Sequence, residues 1–179
     1  MNISMTELDG AQTAWVWRTF AQHVGPKVLL DAYGWDEPPM MRRPGERVFG
    51  FFCIEEIQSC QDLPYVGWGS VTKNPFCDEW WHSAGVFPQY QRHGLRLPMR
   101  NLLVDHVFKQ LGGDIVTRHI LDTNRDYYLK CIDQGKLGGT LWPYRGHIWA
   151  PPPGYAVFSV TKSEWEAAKL AGHPEAQLP

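Results

Sequence analysis

The run from Val86 to Leu97, V-F-P-Q-Y-Q-R-H-G-L-R-L, gathers the residue types that hold a phosphate. A short apolar strand delivers the chain into a turn around Gly94, and Leu97, Leu102, Leu103, Val107 and Leu111 then fall at helical spacing. A helix start leaves backbone N–H groups unpaired and carries the positive end of the helix dipole, so it attracts an anion. Gln91, Arg92, His93 and Arg96 add donors and cations around it. A glycine turn alone is weak grounds, because any strand-turn-helix connection can use one. The strand that leads in, and a second segment farther along the chain, make the pattern more specific.

The turn resembles motif A of the GNAT (GCN5-related N-acetyltransferase) superfamily, whose strand ends V-x-P-x-Y and whose turn reads Q/R-x-x-G-x-G/A around the pyrophosphate of an acyl-coenzyme A. Here Val86, Pro88, Tyr90, Gln91 and Gly94 match. The resemblance implies an α/β fold (α+β mixed): a central mixed β-sheet flanked by helices, with the acyl-CoA cleft at the turn between the family's fourth strand and third helix. It also implies acetyl-CoA (acyl-CoA) as co-substrate, contacted by Val86, Phe87, Gln91, Arg92, His93, Gly94, Leu95 and Arg96. The last small residue of the family pattern is Arg96 here. Its side chain either points outward and adds a cation beside the phosphates, the favoured reading, or crowds a backbone approach that Gly or Ala would leave open.

Asn124 to Gly135, N-R-D-Y-Y-L-K-C-I-D-Q-G, resembles the superfamily's motif B, N-x-x-A-x-x-L-Y-x-x-x-G, with Asn124 and Gly135 at the matching ends. By that resemblance Asn124 and Tyr127 lie beside the pantetheine arm. The family's Tyr, which commonly protonates the departing thiolate, is replaced by Cys131. A Cys thiol, with an unperturbed pKa of ~8.5, reaches less far and donates more weakly. Tyr128 lies one turn earlier on the same helix face and is preferred as donor, with Cys131 as pocket wall. A packing role for both tyrosines stays equally open.

An amine acceptor arrives protonated and needs a base. Family members often place a carboxylate, or a water held by one, on the strand before motif A. Alternation along Glu79-Trp80-Trp81-His82-Ser83-Ala84 puts Trp80 and His82 on one face and Glu79, Trp81 and Ser83 on the other, unless a bulge changes the face partway. His82 is the first choice, since an unperturbed imidazole titrates near neutral pH. Glu79 is the second. A strand histidine bonded to neighbouring backbone is an equal alternative for His82, and His93, in the turn itself, reads as a binding residue.

The surrounding chain is compatible with such an enzyme. At 179 residues, 44% hydrophobic and 20% charged, it suits a single domain over residues 1–171 with a tail of 172–179. No run is long and apolar enough for a membrane span, and Met1 to Asp9 lacks the regions of a secretory signal, so a cytoplasmic location is expected. The four cysteines show no C-x-x-C pairing and the seven histidines are scattered, which argues for reduced thiols and no metal. The net charge of −2 gives no general pull toward nucleic acid; only Arg42-Arg43 and the Arg92/Arg96/Arg100 set are basic patches.

Helices are predicted over Gln12–His23, Val28–Tyr33, Gly94–Leu111, Arg125–Gln134 and Ser163–Ala171, the last started by the capping box Thr161-Lys162-Ser163-Glu164. Strands are predicted over Arg47–Ile57, Tyr65–Lys73, Glu79–Phe87, Asp114–Leu121, Gly138–Ile148 and Tyr155–Val160. The proline-rich loop between Asp36 and Glu46 is a candidate lid, and the tail is expected to fray. Most of the nine tryptophans should be core, with one or two lining an acceptor pocket that stacks on a flat or apolar substrate.

Two function classes follow. One is an acyl-CoA-dependent N-acyltransferase, monomer or homodimer, whose acceptor is a small amine, a protein amine or a modified nucleic-acid base, the last not favoured by the charge. The other is a GNAT-like acyl-CoA-binding module without catalysis, for which Arg96 and Cys131 would be the marks.

Overall fold

Local signals start the chain. The Asp9 carboxylate accepts from the N–H of Gln12 at 2.8 Å and the Gln12 side chain accepts from the N–H of Asp9 at 2.9 Å, a reciprocal cap that opens the first helix. The same device opens the last one, where Thr161 and Glu164 cap each other. The computed structural model describes residues 2–33, 36–39, 41–53, 65–121, 141–142, 144–148 and 154–178. In chain order these form β1 (Ile3–Glu7), α1 (Gly10–Val24), α2 (Pro26–Tyr33), β2 (Glu46–Cys53), β3 (Gly67–Lys73) and β4 (Glu79–Val86), followed by α3 (Arg96–Gln110), β5 (Ile115–Leu121), β6 (Tyr144–Ile148), β7 (Tyr155–Thr161) and α4 (Lys162–Leu170).

The strands make one seven-stranded mixed sheet in the order β1-β2-β3-β4-β5-β7-β6. Every neighbouring pair is antiparallel except β4 and β5. That parallel pair is short. It joins Glu79, Trp80 and Trp81 to Ile115, Val116 and Thr117 and then stops, while β4 stays paired with β3 as far as Val86 and β5 with β7 as far as Leu121. The sheet therefore forks beyond Trp81 and Thr117.

The two faces are covered differently. Gly67 and Gly69 let α3 press close: a Cβ on either would come within 2.5 Å of Met99 or 2.6 Å of Leu103. On the opposite face Trp17 and Phe20 of α1 stand edge-on to Trp68, with ring centroids 6.1 and 5.7 Å apart. Trp17, Trp68, Trp142 and Trp165 are fully buried, as the core reading of most tryptophans requires. Asp105 ties α3 to α4 by accepting from Lys169 at 2.7 Å, and its other oxygen pairs with Lys109 at 2.9 Å.

Three features differ from the sequence expectation. β1 was not foreseen, because only Ile3 of Ile3–Glu7 is buried and an edge strand of that length carries little pattern. β4 keeps one unbroken register against β3 from Lys73↔Trp80 to Gly67↔Val86, so the bulge that would have changed its face is absent from that pairing. The tail does not fray over its described part. Pro174–Ala176 form a 3-10 turn, the carbonyls of Glu175 and Gln177 accept from Arg100 and Asn101 at 3.0 and 2.6 Å, and Ala176 is buried. The expected helix Arg125–Gln134 lies outside the described residues.

Candidate active site

The turn after β4 is built to leave donors free. Phe87 N–H bonds Val66 carbonyl at 3.0 Å on the β3 side, and a 3-10 turn over Pro88–Tyr90 follows. Gln91 braces the bend by donating its side-chain amide to Val86 carbonyl at 3.4 Å. Arg92 and Gly94 then take positive φ, 71° and 72°, and the chain enters α3. For Arg92 this is the left-handed region that side chains other than Gly's seldom adopt, a strain that persists where function holds it. Among the described residues no side chain caps α3, and its first turn has no acidic residue. The first of its N–H groups to bond back is that of Met99, to Leu95 carbonyl at 3.1 Å, and those of Arg92 to Leu97 take no hydrogen bond among the described residues. Gln91, Arg92, His93, Gly94 and Arg96 are exposed, whereas Phe87 and Leu95 are buried beneath them. A Cβ on Gly94 would meet nothing within 4 Å. The result is a positively charged, uncapped helix start with open space in front of it, an arrangement suited to a diphosphate.

The turn stands at the mouth of the fork. Because Phe87 N–H points toward β3, strand alternation turns the N–H of Val86 the other way, into the gap between β4 and β5. A narrow extended ligand entering the gap would find this donor beside it.

On the α3 side of the fork, His82 lies 5.6 Å from the Trp142 ring, centroid to centroid. The buried guanidinium groups of Arg118 and Arg100 stack on the same indole, 4.9 and 5.3 Å from its centroid. Although His82 keeps some exposure as a residue, both its ring nitrogens are buried and without a hydrogen-bond partner among the described residues. Burial first, and then repulsion by Arg118, Arg100 and Arg96, holds the imidazole well below its usual range. The expectation of a ring titrating near neutral pH is corrected accordingly.

The other side of the fork holds what the sequence reading missed. Trp81 and Thr117 are partners on the last rung before the strands part. The indole nitrogen of Trp81 and the hydroxyl of fully buried Thr117 both lack a hydrogen-bond partner among the described residues. Two residues on from Thr117, His119 lies between Trp81 and Tyr155, with ring centroids 5.1 and 6.1 Å away and both pairs tilted at 53°. Its strand parity with Thr117 was legible; its neighbours on β4 and β7 were not. Glu79 shares the face of Trp81 but starts the paired stretch, at the closed end of the fork. Asn124, Tyr127, Tyr128 and Cys131 lie outside the described residues.

No family model matches the chain, and no curated protein matches it in sequence. Solved structures do match it in fold. Mutant forms of the spermidine/spermine N-acetyltransferase SpeG from Vibrio cholerae superpose with a TM-score of 0.63 at 12% identity, over 93% of this chain and 98% of that one. Spermidine N-acetyltransferase from Vibrio cholerae in complex with CoA and spermine gives 0.62 at 10% identity, over 90% and 96%. A dodecameric structure of that organism's enzyme gives 0.61 at 12%, over 91% and 95%. This chain shares the fold of these N-acetyltransferases, the α/β fold with a central mixed sheet that the motif resemblances implied.

Proposed function

We propose that this protein transfers an acyl group, most simply acetyl, from acyl-coenzyme A to an amine. The observation that carries the reading is the juxtaposition of an uncapped, cation-flanked helix start with a sheet that forks beside it. Two adjoining sites suit two parts of one ligand: a diphosphate for the turn and a slender thioester arm for the gap. The fold neighbour with CoA and spermine supports the same assignment.

Bound acyl-CoA supplies an activated carbonyl. The N–H groups of Arg92 to Leu97 hold its pyrophosphate, with Arg92, His93 and Arg96 adding charge. Phe87 and Leu95 anchor the turn from below. Val86 N–H lies along the gap as a fixed donor toward the thioester, where preorganised donors favour the developing oxyanion. Asn124 and Tyr127 hold the pantetheine arm, and Tyr128 protonates the leaving thiolate with Cys131 as pocket wall.

Calorimetry with CoA and with acetyl-CoA tests the binding half, and thiol release over a panel of amines tests the chemistry. Binding of both in the micromolar range with amine-dependent thiol release is the expected result. Absence of binding contradicts the proposal, and binding without release over the whole panel favours the non-catalytic module. For the acid, Tyr128→Phe is expected to lower kcat with little change in cofactor affinity. Unchanged turnover in Tyr128→Phe with collapse in Cys131→Ala reverses that assignment.

A further inference from the structure

We infer that His119 is the residue that takes the proton from the acceptor amine, in a pocket walled by Trp81 and Tyr155 on the face of the fork away from α3. The inference rests on the acyltransferase reading and names, within it, a base that neither motif contains.

A base must reach both the solvent path of the amine and the thioester. The fork fixes where the thioester arm can run, and on its α3 side Trp142, with the two arginines stacked on it, lies against His82. His82 points to that face. Its nitrogens are sealed, and the cations around it oppose an imidazolium. His119 projects to the opposite face, one alternation beyond the last paired rung, where the gap has opened. It is partly exposed, its nitrogens are not among the sealed ones, and no described residue bonds either of them.

A second observation points to a ligand at the same place. The Trp81 indole N–H and the Thr117 hydroxyl, both buried and unpartnered among the described residues, stand on the rung below His119 and share its face. Buried polar groups left without partners are uncommon and call for one. A polar acceptor head seated at the fork would satisfy them. The rings of Trp81 and Tyr155 on either side offer apolar area, so the acceptor class is a primary amine carried on a flat or apolar body.

In the step proposed, the ammonium gives one proton to His119, which passes it to solvent. The freed nitrogen lone pair forms the C–N bond, the C–S bond breaks with its electron pair on sulfur, Tyr128 protonates that thiolate, and the second nitrogen proton restores the Tyr128 hydroxyl. Burial holds His119 below the usual imidazole range, so the ring is neutral and able to accept at neutral pH. The titratable groups around it are Tyr155 from β7 and, more remotely, His82 from β4; among the described side chains of α2, which packs over β5, Lys27 is titratable.

The test uses acetyl-CoA with tyramine and, in parallel, spermidine, for the parent, His119→Gln and His82→Gln. His119→Gln is expected to lower kcat/KM for tyramine by about 10²- to 10⁴-fold and to remove the acid limb of the pH profile, with acetyl-CoA affinity unchanged. His82→Gln keeps that limb where the parent has it. Histidine-ring NMR adds a readout that needs no turnover: acetyl-CoA plus tyramine shifts the His119 signals and leaves those of His82 in place. A parent that binds no acetyl-CoA overturns the acyltransferase reading and this inference with it. An unchanged pH limb in His119→Gln, or unshifted His119 signals in a parent that binds acetyl-CoA, overturns this inference alone.

Discussion

At the scale of single residues, Gly94 and His82 show how one side chain's environment decides what can be changed. Gly94 has φ 72° with nothing within 4 Å of a Cβ. Gly94→Ala therefore meets no clash and costs only the left-handed backbone strain, about 1 kcal/mol. Gly94→Val adds bulk in the open space before the free N–H groups. Unfolding and calorimetry on the pair should find both folded, with CoA affinity reduced roughly tenfold or more in the Val variant. Equal affinity in Gly94→Val and the parent would put the pyrophosphate elsewhere. His82, His106 and His119 are all held below the usual imidazole range, burial being the first cause in each. Their unfolded counterparts take up protons near pH ~6.5. The unfolded state thus binds more protons below that pH, and stability falls as pH drops toward the folded values, most through buried His82 and less through His106 and His119, where solvent screens the shift. Urea titrations from about pH 8 to about pH 5 should show this slope, shallower in His82→Gln. A flat profile would mean that burial does not hold these rings below the usual imidazole range.

At the scale of elements, the contact between α3 and α4 turns on Asp105. Burial alone would raise its carboxyl, but hydrogen bonds from Lys109 and Lys169 outweigh it and hold the group below its usual range. Asp105→Ala removes both bonds and leaves Lys169 half-buried without them, a loss of about 1–3 kcal/mol. Because the native value is depressed, that stabilisation is present above pH ~3.9 and is lost as pH falls through the native value. The penalty of Asp105→Ala should therefore fade in acid, and a penalty that persists unchanged would assign it to packing instead. The helices that carry strong local signals were readable from sequence, as the Thr161/Glu164 cap was, whereas the buried face of α3 was read only in part: Leu103 and Val107 are buried, Leu97 and Leu102 only partly, and Met99, Val104 and Phe108 were not foreseen. β1 was not, since a half-buried edge strand needs no regular pattern. The docked tail was not either, because its partners Arg100 and Asn101 lie some seventy positions upstream on α3.

At the scale of the whole molecule, the decisive feature is a sheet that pairs β4 with β5 for three rungs and then parts. Nothing in either strand's own sequence marks where pairing stops. The cofactor turn was legible because a strand end, a glycine and a helix start are neighbours in the chain. The pocket around His119 was not, because only the strand order β4-β5-β7 brings Trp81, His119 and Tyr155 together. The most direct measurement is a crystal structure of the protein grown with acetyl-CoA. The expected result is the pyrophosphate on the N–H groups of Arg92 to Leu97 and the thioester in the fork between Val86 and His119. Acetyl-CoA bound outside the fork, or a fork closed by continued pairing of β4 with β5, would contradict it.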